Sequence, residues 1–299
     1  MTPRRQHGAV LLMVAIVLST VAALAVGVNG LASAELRSAQ GDYESRAAAY
    51  LADAGMAAAR WKNQVAGCTS ESIVPTALGS GTFAAEVPPV KGRVKKIDIV
   101  ANGAVHGIML RTKERKQVTL HDLSRTETVR LTNGALDLTI DRTDDDESED
   151  GEDWLWLEFD SAHALLYWAM NDIKTDALVL SATLTLTPLG SNGTGGSVAI
   201  QRLTAQWDDE ATWRRPRENV ARWDGGNYVP LPTATASVAG TVPAQWDVTE
   251  LVNGWVSGQY HNYGMLLRLT NPGPSVRFHS LDASSSRHPV LQVLSARQC

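Results

Sequence analysis

With 299 residues, 44% hydrophobic and 20% charged, the chain has enough apolar material for one or two packed domains, which excludes wholesale disorder. A formal net charge of -5 and a pI near 5.8 exclude a general nucleic-acid binder, which needs dense positive charge against phosphate. The Trp count of 9 against 3 Phe, with nearly all the Trp in the second half, makes the two halves chemically different.

Residues 9–28 (AVLLMVAIVLSTVAALAVGV) contain no charge, and as a helix they would span about 30 Å, the thickness of a hydrocarbon core. Arg4 and Arg5 precede the run and residues 29–34 carry no positive charge. The positive-inside rule then predicts a single pass through a bacterial inner membrane, with the N-terminus cytoplasmic and the rest periplasmic or extracellular. A cleaved secretory signal ending at Ala32-Ser33-Ala34 is the competing reading. Residues 31–61 are Ala-rich and free of Pro, and place Glu35, Arg37, Asp42, Glu44, Arg46, Asp53 and Arg60 among small apolar side chains. This composition extends one helix from about residue 8 to 61, amphipathic in its second half.

The order RRQHG, AVLLMVAIVL, ESRAAAYLADAGMAAARW resembles the N-terminal segment of PilX-type minor pilins and pseudopilins over about residues 1–60. That resemblance implies cleavage by prepilin peptidase between Gly8 and Ala9, methylation of the new N-terminus, and other pilin or pseudopilin subunits as partners. Ala9 stands where the family commonly has Phe, and Met13 where the mature major pilin has an acidic fifth residue. The departures point to a subunit at a filament tip rather than in the shaft.

Pro75, Gly79 and Gly81 mark residues 65–81 as a connection, and residues 82–87, 94–100, 105–111 and 117–120 alternate as short strands, with a turn at Asn102-Gly103. A helix packed on a small antiparallel sheet is expected there. Residues 141–153 (DRTDDDESEDGED) hold nine carboxylates against Arg142. An exposed, solvated loop is one reading. A calcium loop is the other, with Asp146, Ser148 and Asp150 at alternating ligand positions but no closing carboxylate at the twelfth.

Residues 154–159, 164–170, 177–187, 197–203, 265–269, 276–280 and 290–294 read as short strands divided by turn residues, the pattern of a β-sandwich. GSNGTGG at 190–196 reads as a hairpin turn. LLYWAMNDI with VLSATLTLT, WDDEATW, WDVTELVNGWVSGQYHNYGMLLRL and SLDASSSRHPVLQVL resemble, in order, four blocks of the DNRLRE family over about residues 134–296. The resemblance implies a jelly-roll-like sandwich related to carbohydrate-binding modules, although Tyr167 and Ala169 replace the family's Arg and Asp. Trp207, Trp213, Trp246 and Trp255 are expected in the core or as a lid. A short helix at 250–256, capped by Asp247 or Thr249, is expected to cross one end, with Gly254 and Gly258 easing its approach and exit. In the loop RWDGGNYVP, Trp223 and Tyr228 are the candidates to stack on a sugar ring.

The chain is therefore expected to be α+β: a long transmembrane pilin-like helix on a small antiparallel sheet, then the sandwich, with boundaries 1–63, 64–130 and 131–299. The His pattern has no metal spacing, and no phosphate loop or nucleophile elbow is present in the sequence, so no enzyme and no cofactor is expected beyond the calcium reading. Export would allow Cys68 and Cys299 to form a disulfide. The expected function is a pilus or pseudopilus subunit displaying an adhesive sandwich. A membrane-tethered carbohydrate-binding protein outside any filament is the alternative, with surface polysaccharide as partner.

Overall fold

The computed structural model describes the backbone of residues 6–132, 134–190, 196–284 and 286–299, and the side chains of these residues from 35 onward. The chain divides into two compact units, Met1–Asn63 with Thr69–Val118 and Gln64–Cys68 with Thr119–Cys299.

In the first unit, helix α1 (Gln6–Val65) accompanies strands β1 (Ile73–Leu78), β2 (Gly81–Glu86), β3 (Lys96–Val105) and β4 (Ile108–Thr119), which form one sheet in that order. Among the described side chains of the helix, burial starts at Ala48, and Ala48, Leu51 and Val105 form a small core with Ala47 and Phe83 against it. Small residues let helix and sheet approach closely. A Cβ on Gly103 would lie 2.0 Å from the Ala48 carbonyl oxygen, so only glycine fits at that crossing. Gly103 is thus a strand residue inside β3, not the turn that the Asn-Gly pair suggests. The turn falls at His106-Gly107, where φ is 51° and 78°.

The second unit contains β5 (His121–Leu131), β6 (Ala135–Asp141), β7 (Trp154–Leu157), β8 (Ala162–Trp168), β9 (Leu178–Leu186), β10 (Gly196–Arg202), β11 (Ala234–Val238), β12 (Ala244–Asp247), helix α2 (Thr249–Val256), β13 (Met265–Leu269), β14 (Val276–His279) and β15 (Val290–Gln298). One sheet runs β11-β10-β13-β8-β6, the other β12-β9-β15-β5, and β14 pairs with β7. The inward faces share a core: Ala182, Leu184 and Leu186 of β9 alternate with Ser181, Thr183 and Thr185 and, with Val179, meet Val198, Ile200, Leu267 and Trp246. Asp247 accepts the Thr249 backbone N–H (2.9 Å) and hydroxyl at the head of α2, and these bonds hold its carboxyl below the usual carboxylate range. Tyr260 closes on Gly254, where a Cβ would overlap its ring.

The Cys68–Cys299 disulfide is formed, joining residues 231 apart in sequence with Cα atoms 6.0 Å apart. Cys299 also donates its N–H to Leu120 at 3.1 Å. The terminal strand β15 lies between β5 and β9, and β5 therefore belongs to the sandwich. The expected boundary at 130/131 falls at the end of that strand, whereas the chain divides at 118/119.

Two expectations are corrected. The architecture is mostly β, with fifteen strands and two helices among the described residues, rather than α+β with a transmembrane helix. Among the described residues no helix is long and apolar enough to cross a membrane, which contradicts the single-pass inner-membrane placement. Where its side chains are described, α1 carries Glu35, Arg37, Asp42, Glu44, Arg46, Asp53, Arg60 and Lys62, a charge every few residues. The apolar run 9–28 lies outside the residues whose side chains are described, as do Gly8 and Ala9.

Candidate ligand cleft

The five-stranded sheet is apolar on both faces. Its second face is built by register: Leu138 stands opposite Leu165, Ile140 opposite His163 and Leu136 opposite Tyr167, with Leu266 beside Leu165. The connection between β10 and β11, residues 203–233, folds over this face. It lays Trp207, Ala211, Trp213 and Trp223 on Leu138, Ile140, Leu165 and Leu266 as a second core. Each indole N–H in this lid has an acceptor: Trp207 on the Tyr263 carbonyl (2.8 Å), Trp213 on Asp224 (2.9 Å) and Trp223 on the Thr212 carbonyl (2.8 Å). Burial of three large rings is affordable because their polar tips are satisfied.

His163 pins the lid from below. Its Nδ1 lies 2.9 Å from the Gly225 carbonyl oxygen, an acceptor, so this nitrogen carries the proton. The ring sits 4.9 Å from Trp213 and edge-on to Tyr228 at 6.4 Å. Burial lowers its pKa to about 4. Gly225 adopts φ 73°, and a Cβ there would enter the Trp213 ring. Across the sheet on β6, burial pushes Asp137 up to about 7, opposed by the Leu281 N–H and reinforced by Asp282 and Asp150.

The acidic loop is fastened to the lid. Arg214 donates to Asp145 (2.6 Å) and Asp146 (3.1 Å), Arg215 to Asp146 (3.3 Å), and Ser148 to the Asp209 carbonyl (2.6 Å). Asp146 and Ser148 are therefore committed to protein partners, while burial, with Asp282 and Asp209, raises the pKa of Asp150. Among the described residues no group of three His, Cys, Asp or Glu is placed to hold a metal.

Where the lid ends, a cleft of about 450 Å³ opens, lined by Leu136, Tyr167, Gln206, Trp207, His261, Asn262 and Tyr263. Asn262 is locked by donating to the Trp168 carbonyl (2.8 Å) and accepting the Gly264 N–H (3.0 Å), which fixes the segment carrying His261 and Tyr263. The His261 and Tyr263 rings lie 5.7 Å apart at 36°. The lining presents aromatic faces with hydroxyl, imidazole and amide groups and no carboxylate, which suits stacking on a neutral polar ring. Glycoside hydrolysis would need a carboxylate pair there. A wider groove of about 550 Å³ along β12 and α2 is lined mainly by Thr233, Thr235, Gln245, Asp247, Thr249 and Glu250, and the one aromatic there, Trp246, is buried.

Of the two sugar-stacking candidates, Trp223 is corrected: it is 3% exposed, a lid residue facing inward. Tyr228 is half-buried and covered by Arg268, whose guanidinium carbon lies 5.7 Å from the ring centre. Neither lines the cleft. Its aromatic residues come from three distant stretches, and only the HNYG block before β13 carried a local hint, a cluster of rings followed by a glycine of φ 81°.

No protein-family model matches this chain, and no curated protein shows significant similarity to it.

Proposed function

We propose that this chain is a non-enzymatic, minor-pilin- or pseudopilin-like subunit of a type IV pilus or type II secretion-like filament, in which α1 is the assembly element and the sandwich displays the cleft. The observation that supports the reading is that α1, Gln6–Val65, carries exposed side chains at every position from 35 to 43 before the sheet begins to bury it at Ala48. A helix stretch left open in this way needs other surfaces, and sister subunits would supply them. Prepilin peptidase is the processing partner in this reading. The test is intact mass after expression with and without a prepilin peptidase. Loss of residues 1–8 with a methyl group on Ala9, only when the peptidase is present, is the expected result. An identical mass in both strains overturns it.

The cleft favours a second reading, a saccharide-binding protein that joins no filament. Tyr167 and Tyr263, both half-buried, offer ring faces, and Gln206 offers an amide for ring hydroxyls. Affinity electrophoresis in gels containing neutral polysaccharides should retard the protein, and Tyr263→Ala should abolish the retardation. Equal mobility of both proteins in every gel removes this reading.

A further inference from the structure

The first unit leaves one face of α1 without a partner. Leu36, Tyr43 and Tyr50, spaced by seven, are 72%, 68% and 75% exposed, and Trp61 is 62% exposed on the same side. Taken with Gln40, Ala47, Ala54 and Ala57, they complete a heptad seam: Leu36, Tyr43, Tyr50 and Ala57 at one position, Gln40, Ala47, Ala54 and Trp61 at the other. The sheet takes the helix face around Ala48, Ala52, Gly55 and Ala59, well round the cylinder from this seam, and only Ala47 lies at the margin of both, half-buried against Ala48, Leu51 and Val105. Large aromatic side chains at such exposure are costly on a helix that has already buried its other apolar face.

We infer that two copies of this chain pair through this seam with their α1 helices antiparallel. Antiparallel heptads set each position of one kind against the other kind on the partner. Here that places Tyr43 on Ala54 of the second copy, Tyr50 on Ala47, Leu36 against Trp61 and Ala57 against Gln40, so both tyrosines meet an alanine. A parallel pair would stack Tyr43 on Tyr43 and leave Ala on Ala in the next layer, alternating crowding with voids. Charge agrees with the antiparallel choice. Arg46 and Asp53 flank the seam on the same side, and the antiparallel layers bring Arg46 of each copy beside Asp53 of the other. Asp53 already accepts from Lys113 at 2.5 Å but keeps a half-exposed carboxylate. Aromatic side chains bury about 150–250 Å² each, so the seam would remove on the order of 1,000 Å² from the pair, at the lower edge of specific interfaces. The pair uses the same helix as the filament reading, so it describes the unassembled chain and goes beyond that reading.

The test uses the full chain in dilute non-ionic detergent. Sedimentation equilibrium should give a dimer, and Tyr43→Ser with Tyr50→Ser should weaken it at least about tenfold with unchanged circular dichroism, because both positions are exposed. Arg46→Glu alone should weaken it, and adding Asp53→Arg in the same chain should restore it. Orientation is read by mixing Tyr43→Cys copies with Ala54→Cys copies under diamide, which oxidises two thiols to one disulfide. A mixed crosslink is expected. A monomer, a dimer indifferent to the tyrosine pair, or a Tyr43→Cys chain that links to itself as fast as to Ala54→Cys overturns the inference.

Discussion

The buried imidazole of His163 should make the sandwich acid-sensitive in a way that a single substitution removes. In the native protein its pKa is lowered to about 4 from 6.5, because burial disfavours the cation. The unfolded chain takes up a proton below pH 6.5, and the native state does so only near pH 4. The stabilising contribution is therefore fully present above pH 6.5 and is lost as pH falls through 4. At pH 4.5 the two pKa values correspond to a loss of about 2.5 kcal/mol relative to pH 7. His163→Gln keeps a donor for the Gly225 carbonyl and cannot titrate. Urea unfolding followed by Trp fluorescence at pH 7 and 4.5 gives the comparison, since the lid tryptophans report on this region. The wild type should lose about 2.5 kcal/mol more between the two pH values than His163→Gln. Asp137 acts in the opposite sense: with its pKa raised to about 7 from 3.8, its contribution is present below 3.8 and is lost as pH rises through 7. It is common to both proteins and cancels from the difference. Equal pH dependence in the two would refute the argument.

Reducing the disulfide, or replacing Cys68 and Cys299 by Ser, should destabilise the second unit by about 3–5 kcal/mol, because the bridge spans 231 residues, and urea melts with and without reductant would measure it. Arg214→Ala breaks a partly exposed double contact, so a stability loss of only about 1 kcal/mol is expected, shrinking at high salt. The same substitution should speed proteolysis of residues 142–153, and an unchanged cleavage rate would mean that the arginines do not hold that loop. Gly103→Val should cost at least about 3 kcal/mol by wedging α1 off its sheet, read as a lower thermal midpoint of the helical signal.

Local patterns were legible where a residue's surroundings lie close in sequence. The alternation of β9 forecast which side faces inward, and the WDVTELVNGW block forecast α2 and the close approach at Gly254, whereas the N-cap is Val248 without a side-chain cap bond rather than Asp247 or Thr249. Local signals failed where a distant element decided. Asn102-Gly103 has the composition of a hairpin turn, but the demand there is the passage of a helix at Ala48, far earlier in the chain, and glycine answers both demands alike. Trp223 lies in a loop-like run of Gly, Asn and Asp, which suggests exposure, yet the loop is a lid whose tryptophans point down. β5 pairs with a strand some 170 residues away, and nothing in its own eleven residues declares that pairing. The acidic run was unreadable alone. Its counterpart, RRPR at 214–217, is a complementary block whose proximity only the fold supplies.

The position of the cleft follows from how the lid is built. A sheet apolar on both faces must be covered twice, and the second cover here is a 31-residue connection rather than another sheet. Its tryptophans reach over the Leu138–Leu165 and Ile140–His163 pairs and stop. The last pair in that row, Leu136 with Tyr167, is left at the rim, with Leu136 38% exposed beside Trp207. The chain from α2 to β13 then raises His261 and Tyr263 as the facing wall, braced by Asn262 on the Trp168 carbonyl. An aromatic-walled opening thus arises at the edge of a hydrogen-bonded core, and under the saccharide-binding reading little would have to be ordered there, so contact energy would be retained as affinity.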